Sequence, residues 1–222
     1  ENVVSEKAGL LPISVGLEVR LEQRQAIFQI TIDNRSDFWV ENVYCPYLGD
    51  VQHPAEAEWL KTFIYQYQTA QEWPLWPTYS NLRGYFGVDY PTQFSSWGAS
   101  AGAPMSPFFL LRSENQGLYA GVYSAGGNAP SSELVAWHTE LRPGYGSSID
   151  WRVSGGQHAP QAYTRFAAVH VPFIPPGQAR SLTPVALEAY QGGWQQGADI
   201  YRKWRSTWMK LPQMPEWARQ PH

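Results

Sequence analysis

The stretch Tyr190-Gln-Gly-Gly-Trp-Gln-Gln-Gly-Ala-Asp-Ile-Tyr-Arg-Lys-Trp-Arg-Ser-Thr-Trp208 decides how this chain folds. The sequence before it alternates as β-strands do, Gly192-Gly193 breaks the pattern, and the period then changes. Trp194, Ala198, Tyr201, Trp204 and Trp208 recur at steps of four, three, three and four, which is one face of a helix. Arg202, Lys203 and Arg205 fall toward its polar side and C-terminal half, where the helix dipole favours cations. The spacing predicts a single helix over 194–208, its aromatic stripe docked on the same domain or on a following one. Leu211-Pro-Gln-Met-Pro-Glu-Trp217 then reads as a linker. The expected organisation is one domain over 1–210 and a lead toward a further domain over 211–222. A first residue of Glu rather than Met reads as a processed chain or one cut from a longer protein.

Upstream, Val15, Leu17, Val19 and Leu21 alternate with polar or small residues, as do Ala26, Phe28, Ile30 and Ile32, which predicts two half-buried strands joined by a polar turn over 20–25. A turn follows at Asp33-Asn-Arg-Ser-Asp37, whose side chains bond their own backbone readily. Phe38 to Tyr44 reads as the next strand, ended by Pro46 to Asp50. From Val51 to Pro107 the pattern loosens under many prolines, and Ala55 to Thr69 fits a short helix or an irregular strand. Regular alternation resumes at Phe108–Arg112 and Leu118–Tyr123, read as a hairpin with Gly117 in a left-handed position. Further strands are expected at 134–141, 149–153, 162–173 and 182–190, with a tight turn at Pro175-Pro-Gly177. Many short strands, one terminal helix and no strand–helix–strand rhythm predict an all-β fold: a large antiparallel β-sandwich with a C-terminal α-helix.

Composition narrows the function. The charged fraction is 16%, well below the ~25% usual for soluble domains, and the net charge is −3. No basic run exists, which argues against a nucleic-acid partner. No apolar run approaches the ~18 residues of a membrane span. Cys45 is the single cysteine, so no internal disulfide forms, and the compartment stays open, with a periplasmic or secreted site among the readings. Asn34-Arg-Ser36 fits a glycosylation sequon. Aromatics are abundant, with 11 Trp, 13 Tyr and 9 Phe. Most serve as strand residues on the plainest reading, but rings also stack on the apolar faces of sugars. Trp73, Trp76, Tyr79, Tyr85, Tyr90 and Trp97 crowd the irregular segment. They form the candidate carbohydrate-binding set, with packing under the loop or against a neighbouring domain as the alternative.

Several segments resemble a known family. Phe38-Trp-Val-Glu-Asn-Val-Tyr-Cys-Pro-Tyr-Leu-Gly-Asp50, the hairpin Met105–Arg112 with Gly117-Leu-Tyr-Ala-Gly-Val-Tyr123, and the helix phrase Tyr190–Trp204 are similar to elements of α-galactosidase-like glycoside hydrolases. In that group they belong to an N-terminal β-supersandwich of the galactose-mutarotase-like kind, which packs against a catalytic (β/α)8 barrel. Gly193 stands where the family often has Asp, and Tyr123-Ser124 replaces a usual His-Asp pair. The resemblance implies a non-catalytic domain docking on a barrel and contacting glycan. No barrel segment lies within the chain, so the family's catalytic carboxylates have no positions here.

Other motifs in the sequence have plainer readings than chemistry. Gly98-Ala-Ser-Ala-Gly102 matches a nucleophile elbow, but Pro104 and Pro107 oppose the helix that such a serine needs. None of the five histidines pairs at i, i+4, so no metal site or cofactor is indicated. His138 with Glu140 on one strand, and His170 on another, form an alternative acid–base set for a free-standing mutarotase-like enzyme. Glu56, Glu58, Asp89, Asp150 and Glu188 are scattered, and spacing brings no two into a hydrolytic pair. A structural module without sugar contact is the third reading.

Overall fold

The computed structural model describes residues 2–51, 54–66, 69–76, 92–94, 108–123, 134–142 and 163–209. The strands are β1 (Asn2–Ser5), β2 (Gly9–Glu22), β3 (Gln25–Asn34), β4 (Val43–Val51), β5 (Leu60–Gln66), β6 (Thr69–Trp76), β7 (Thr92–Phe94), β8 (Phe108–Arg112), β9 (Gln116–Val122), β10 (Leu134–Arg142), β11 (Tyr163–Val171), β12 (Gln178–Ser181) and β13 (Val185–Gln191), followed by α1 (Trp194–Ser206). Among the described residues all strand pairings are antiparallel. The large sheet runs β1-β2-β3-β13-β9-β8-β5-β6, with β12 also on β3, and the small sheet runs β4-β11-β10-β7. The expected all-β sandwich with one C-terminal helix is the fold observed.

The centre of the large sheet is covered on both faces. Phe109, Leu111, Ala120, Val122, Val185 and Leu187 face the small sheet, where they meet Phe166 and Ala168. Phe109 and Phe166 stack across that gap at 5.2 Å. The alternate residues Phe108, Leu110, Tyr119, Ala186 and Tyr190 face the other way and meet α1. Two-sided burial explains why β8 reads as the unbroken apolar run Phe-Phe-Leu-Leu rather than as an alternating strand. The helix stripe docks on the sandwich itself. Trp194 stacks on Phe63 at 5.2 Å, Tyr201 meets Phe108 at 5.4 Å, and Trp204 lies flat on Tyr123 at 4.4 Å. Each such ring pair contributes about 0.5–1.5 kcal/mol beyond burial. Lys203 and Arg205 occupy the last turn.

Two expectations need correction. The strand expected at 38–44 begins only at Val43, and the expected terminator, Pro46, lies inside β4 behind a cis Cys45–Pro46 bond. Proline is tolerated there because β4 is an edge strand whose pairing with β11 is already irregular. Gly117 has no positive φ and belongs to β9. It is small because Tyr190 crosses above it: a Cβ there would sit 2.5 Å from Tyr190 Oη and 2.7 Å from the Leu111 carbonyl. Between Ala55 and Thr69, where a short helix or an irregular strand is expected, the strand is observed as β5, with a register shift at Leu60–Lys61. The strand expected at 149–153 lies outside the described residues.

Gly197 obeys the same logic on the helix. Alanine in place of an interior helical glycine ordinarily stabilises by about 0.5–1 kcal/mol. Here a Cβ would lie 2.8 Å from Leu110 Cδ2 and 2.9 Å from Tyr190 Cζ. Gly197→Ala should therefore destabilise, by about 1–3 kcal/mol, in urea unfolding followed by Trp fluorescence. A gain in stability would mean that the helix does not press on Leu110 as described.

Candidate interaction surfaces

Of the proposed acid–base residues, His138 and Glu140 share one face of β10 as positions in the register. His138 stands opposite Ala167, Glu140 opposite Arg165, and His170 opposite Val135 in the β10–β11 ladder. His138 and His170 are thus an odd number of steps apart in register, and their positions belong to opposite faces of the small sheet. His170 is 1% exposed, and its Nε2 lies 2.9 Å from the Cys45 carbonyl. It ties β11 to the edge strand β4 from inside the core. The Cys45 thiol is also buried, and burial raises its pKa, which disfavours the reactive thiolate. Among the described residues no group of three His, Cys, Asp or Glu side chains could hold a metal, and no helix is long and apolar enough to cross a membrane.

Of the aromatic set, Trp73 and Trp76 lie on the edge strand β6, opposite Thr62 and Leu60. Tyr79, Tyr85, Tyr90 and Trp97 lie outside the described residues, as does Ser100. The sequon has a structural explanation. Asn34 is fully buried, and its Nδ2 donates to the carbonyls of Phe38 and Ile174 at 2.7 and 3.2 Å. Ser36 Oγ donates to Asn34 Oδ1 at 2.7 Å. A glycan at Asn34 is incompatible with this packing.

Two polar clusters sit beside α1. Gln25 Nε2 donates to Tyr123 Oη at 2.8 Å and to Glu188 Oε2 at 2.9 Å, while Arg24 approaches Glu188 at 3.9 Å. This cluster joins the β2–β3 turn to β13 and, through Tyr123, to Trp204. At the other end of the helix, Arg112 pairs with Glu72, which Lys61 approaches at 3.9 Å. Lys61 and Arg112 both lie over the Trp59 ring, at 4.3 and 4.9 Å. The Tyr190 hydroxyl and Arg112 Nε are buried without a hydrogen-bond partner among the described residues.

The inner face of the large sheet runs past the small sheet. Leu17, Val19 and Leu21 of β2 are 57%, 48% and 83% exposed. They are paired with Ile30, Phe28 and Ala26, so the stripe continues the core face of β3 outward. The alternation on β2 is as expected from sequence, but its apolar side is open rather than half-buried. Toward β5 the same face holds a cleft of about 460 Å³ over Leu60, Leu111 and Leu118, bordered by Arg24, Gln116 and Gln191. No histidine or carboxylate lines it among the described residues.

Burial pushes the Tyr190 phenol up to about 12, with Arg112 opposing part of the effect, and Tyr119, Tyr123 and Tyr201 are also raised by burial. The phenol is neutral when protonated, so folding favours the protonated form. The resulting stability is complete below the unfolded pKa of ~10 and is lost as pH rises through 12. Urea midpoints should fall over that window. Tyr190→Phe should remove a part worth roughly 2–3 kcal/mol. At neutral pH it should change stability by less than about 1 kcal/mol, because the hydroxyl it removes is unpartnered. A larger loss at neutral pH would show that the hydroxyl has a partner.

No protein-family model and no curated protein matches the chain. Among solved structures it is similar to the galactosidase domain of alpha-galactosidase-sucrose kinase, AgaSK, with a TM-score of 0.48 and 12% identity. That likeness covers 81% of this chain and 22% of the other.

Proposed function

We propose that this chain is the non-catalytic β-sandwich module of a carbohydrate-active protein, which docks on a neighbouring catalytic domain of the glycoside hydrolase kind. The open aliphatic stripe Leu17–Val19–Leu21 carries the docking part of this reading. A contiguous apolar surface that continues the core outward is the chemistry of a protein interface. The cleft beside it offers further apolar surface and no acid–base pair among its described lining residues. The separation of His170 from His138 and Glu140 also favours docking over free-standing sugar chemistry. In this reading residues 1–210 are the module and 211–222 the link to the catalytic domain. The assignment to carbohydrate rests on the sequence resemblance, and the candidate glycan-facing residues are Trp73, Trp76, Tyr79, Tyr85, Tyr90 and Trp97, singled out by their crowding in the irregular segment.

The purified chain should bind an apolar dye such as ANS in its native state. Combining Leu17→Ser, Val19→Thr and Leu21→Ser should lower that binding severalfold while Tm stays nearly constant, because these side chains are already largely exposed. Equal dye binding by the variant would remove the stripe as the docking face. Turnover of nitrophenyl glycosides, or faster galactose mutarotation, by the purified chain would overturn the non-catalytic reading.

A further inference from the structure

A second exposed apolar surface differs in kind. Phe38, Trp39 and Phe173 are 57%, 58% and 53% exposed. The two segments that carry them are joined by one antiparallel bridge, in which Val40 and Ile174 exchange both backbone hydrogen bonds at 2.9 Å. Ile174 is fully buried and Val40 packs on the same core. Trp39 and Phe173 each stand one residue before that anchored pair, two register steps apart, and are directed outward. Asn34 and Ser36 hold the first segment: Asn34 Nδ2 bonds the Phe38 carbonyl, and the Phe38 amide donates to Ser36 Oγ at 3.2 Å. Arg180 Nη1 holds the second by donating to the Pro172 carbonyl at 2.7 Å.

Phe173 has φ 46, a left-handed conformation that a bulky side chain adopts only when its surroundings impose it. Here the clamps on Pro172 and Ile174 impose it, and the result is a large, half-exposed ring on the segment bridged to the one that carries Trp39. Folding stability alone gives no reason to hold an aromatic in strain outside the core. Strained residues of this sort gather at ligand contacts.

We infer that Phe38, Trp39 and Phe173 form a carbohydrate platform that stacks on the C–H faces of a neutral oligosaccharide. The inference rests on the carbohydrate-active reading and adds a site to it. Three features select a neutral sugar. The backbone that carries the rings is held by part-buried hydrogen bonds at Phe38 and Pro172, so little backbone freedom is lost on stacking. Asp37, Glu41 and Asn42 are exposed in the same segment, and their oxygens accept from sugar hydroxyls. Among the described residues, Asp37 and Glu41 outnumber the one cation held at this bridge, Arg180 on the Pro172 carbonyl, and so disfavour an acidic glycan. The aliphatic face suited to a protein partner lies elsewhere, on β2.

The test titrates the whole chain with malto-, xylo- and galacto-oligosaccharides, and with oligogalacturonate as the acidic control, by Trp fluorescence and calorimetry. At least one neutral series should bind saturably at millimolar concentration or below, and oligogalacturonate should not. Trp39→Ala and Phe173→Gly should each weaken that binding by about tenfold or more. Phe173→Gly should not lower Tm, since glycine accepts the positive φ without strain. If no neutral oligosaccharide binds, the platform is overturned while the docking module stands. If binding survives both variants but is lost in Trp73→Ala or Trp76→Ala, the glycan surface is at β6, and this inference falls while the carbohydrate-active reading holds. Preferred binding of the acidic control also overturns it.

Discussion

The structure depends on β13 lying between β3 and β9. This strand joins the N-terminal strands to the hairpin from the middle of the chain. Val185 and Leu187 enter the space between the sheets, while Ala186 and Tyr190 enter the space under the helix. One seven-residue strand therefore contributes to two cores. It also sets where α1 starts. Gly192 turns the chain at φ 101, and its amide bonds the Asn115 carbonyl in the β8–β9 turn at 2.6 Å. The helix is then laid back over the sheet that β13 completes. Gly117 and Gly197 are the consequence of this crowding, because Tyr190 crosses closely above both.

Polar groups follow the same plan. His170, Asn34 and Ser36 are buried and hydrogen-bonded to backbone or to one another, and each ties an irregular segment to the core. The edge strand β4 is held by an irregular ladder to β11 and by the His170 bond, and the loop before it by the bonds of Asn34 and Ser36. What remains for interaction is surface of two kinds. On β2 the sheet outruns its covering layer and leaves aliphatic side chains in solvent. At the bridge between Val40 and Ile174 the backbone is clamped and aromatic rings stand out from it. The first suits a broad protein contact, where apolar area matters most, and the second a flat, hydroxyl-bearing ligand that meets ring faces.

Much of the fold was legible in the sequence because its period is strict where one side chain in two is buried. The strands around Val19, Ile30 and Leu118 read directly, and so does the helix, expected over 194–208 and observed over Trp194–Ser206. The sequence is least informative where the reason for a residue lies far away along the chain. Gly117 looks like a turn glycine until Tyr190 is placed above it. Pro46 looks like a strand terminator until β4 is known to be an edge. His170 looks available for proton transfer until the Cys45 carbonyl is found beside it. The sequon looks like a surface signal until Asn34 is seen in the core.

The candidate surfaces were the least legible part. Leu17, Val19 and Leu21 alternate just as buried residues do, and nothing local distinguishes a covered face from an open one. Alternation determined that β2 has an apolar side; only the extent of the small sheet decided that this side meets water. Likewise, the sequence by itself determined an antiparallel all-β body with a terminal helix whose aromatic stripe must be covered, because strand and helix periods are local properties of the chain. Strand order, the two-sided burial of β13 and the strain at Phe173 were decided by tertiary structure, because each arises from contacts between residues distant in sequence.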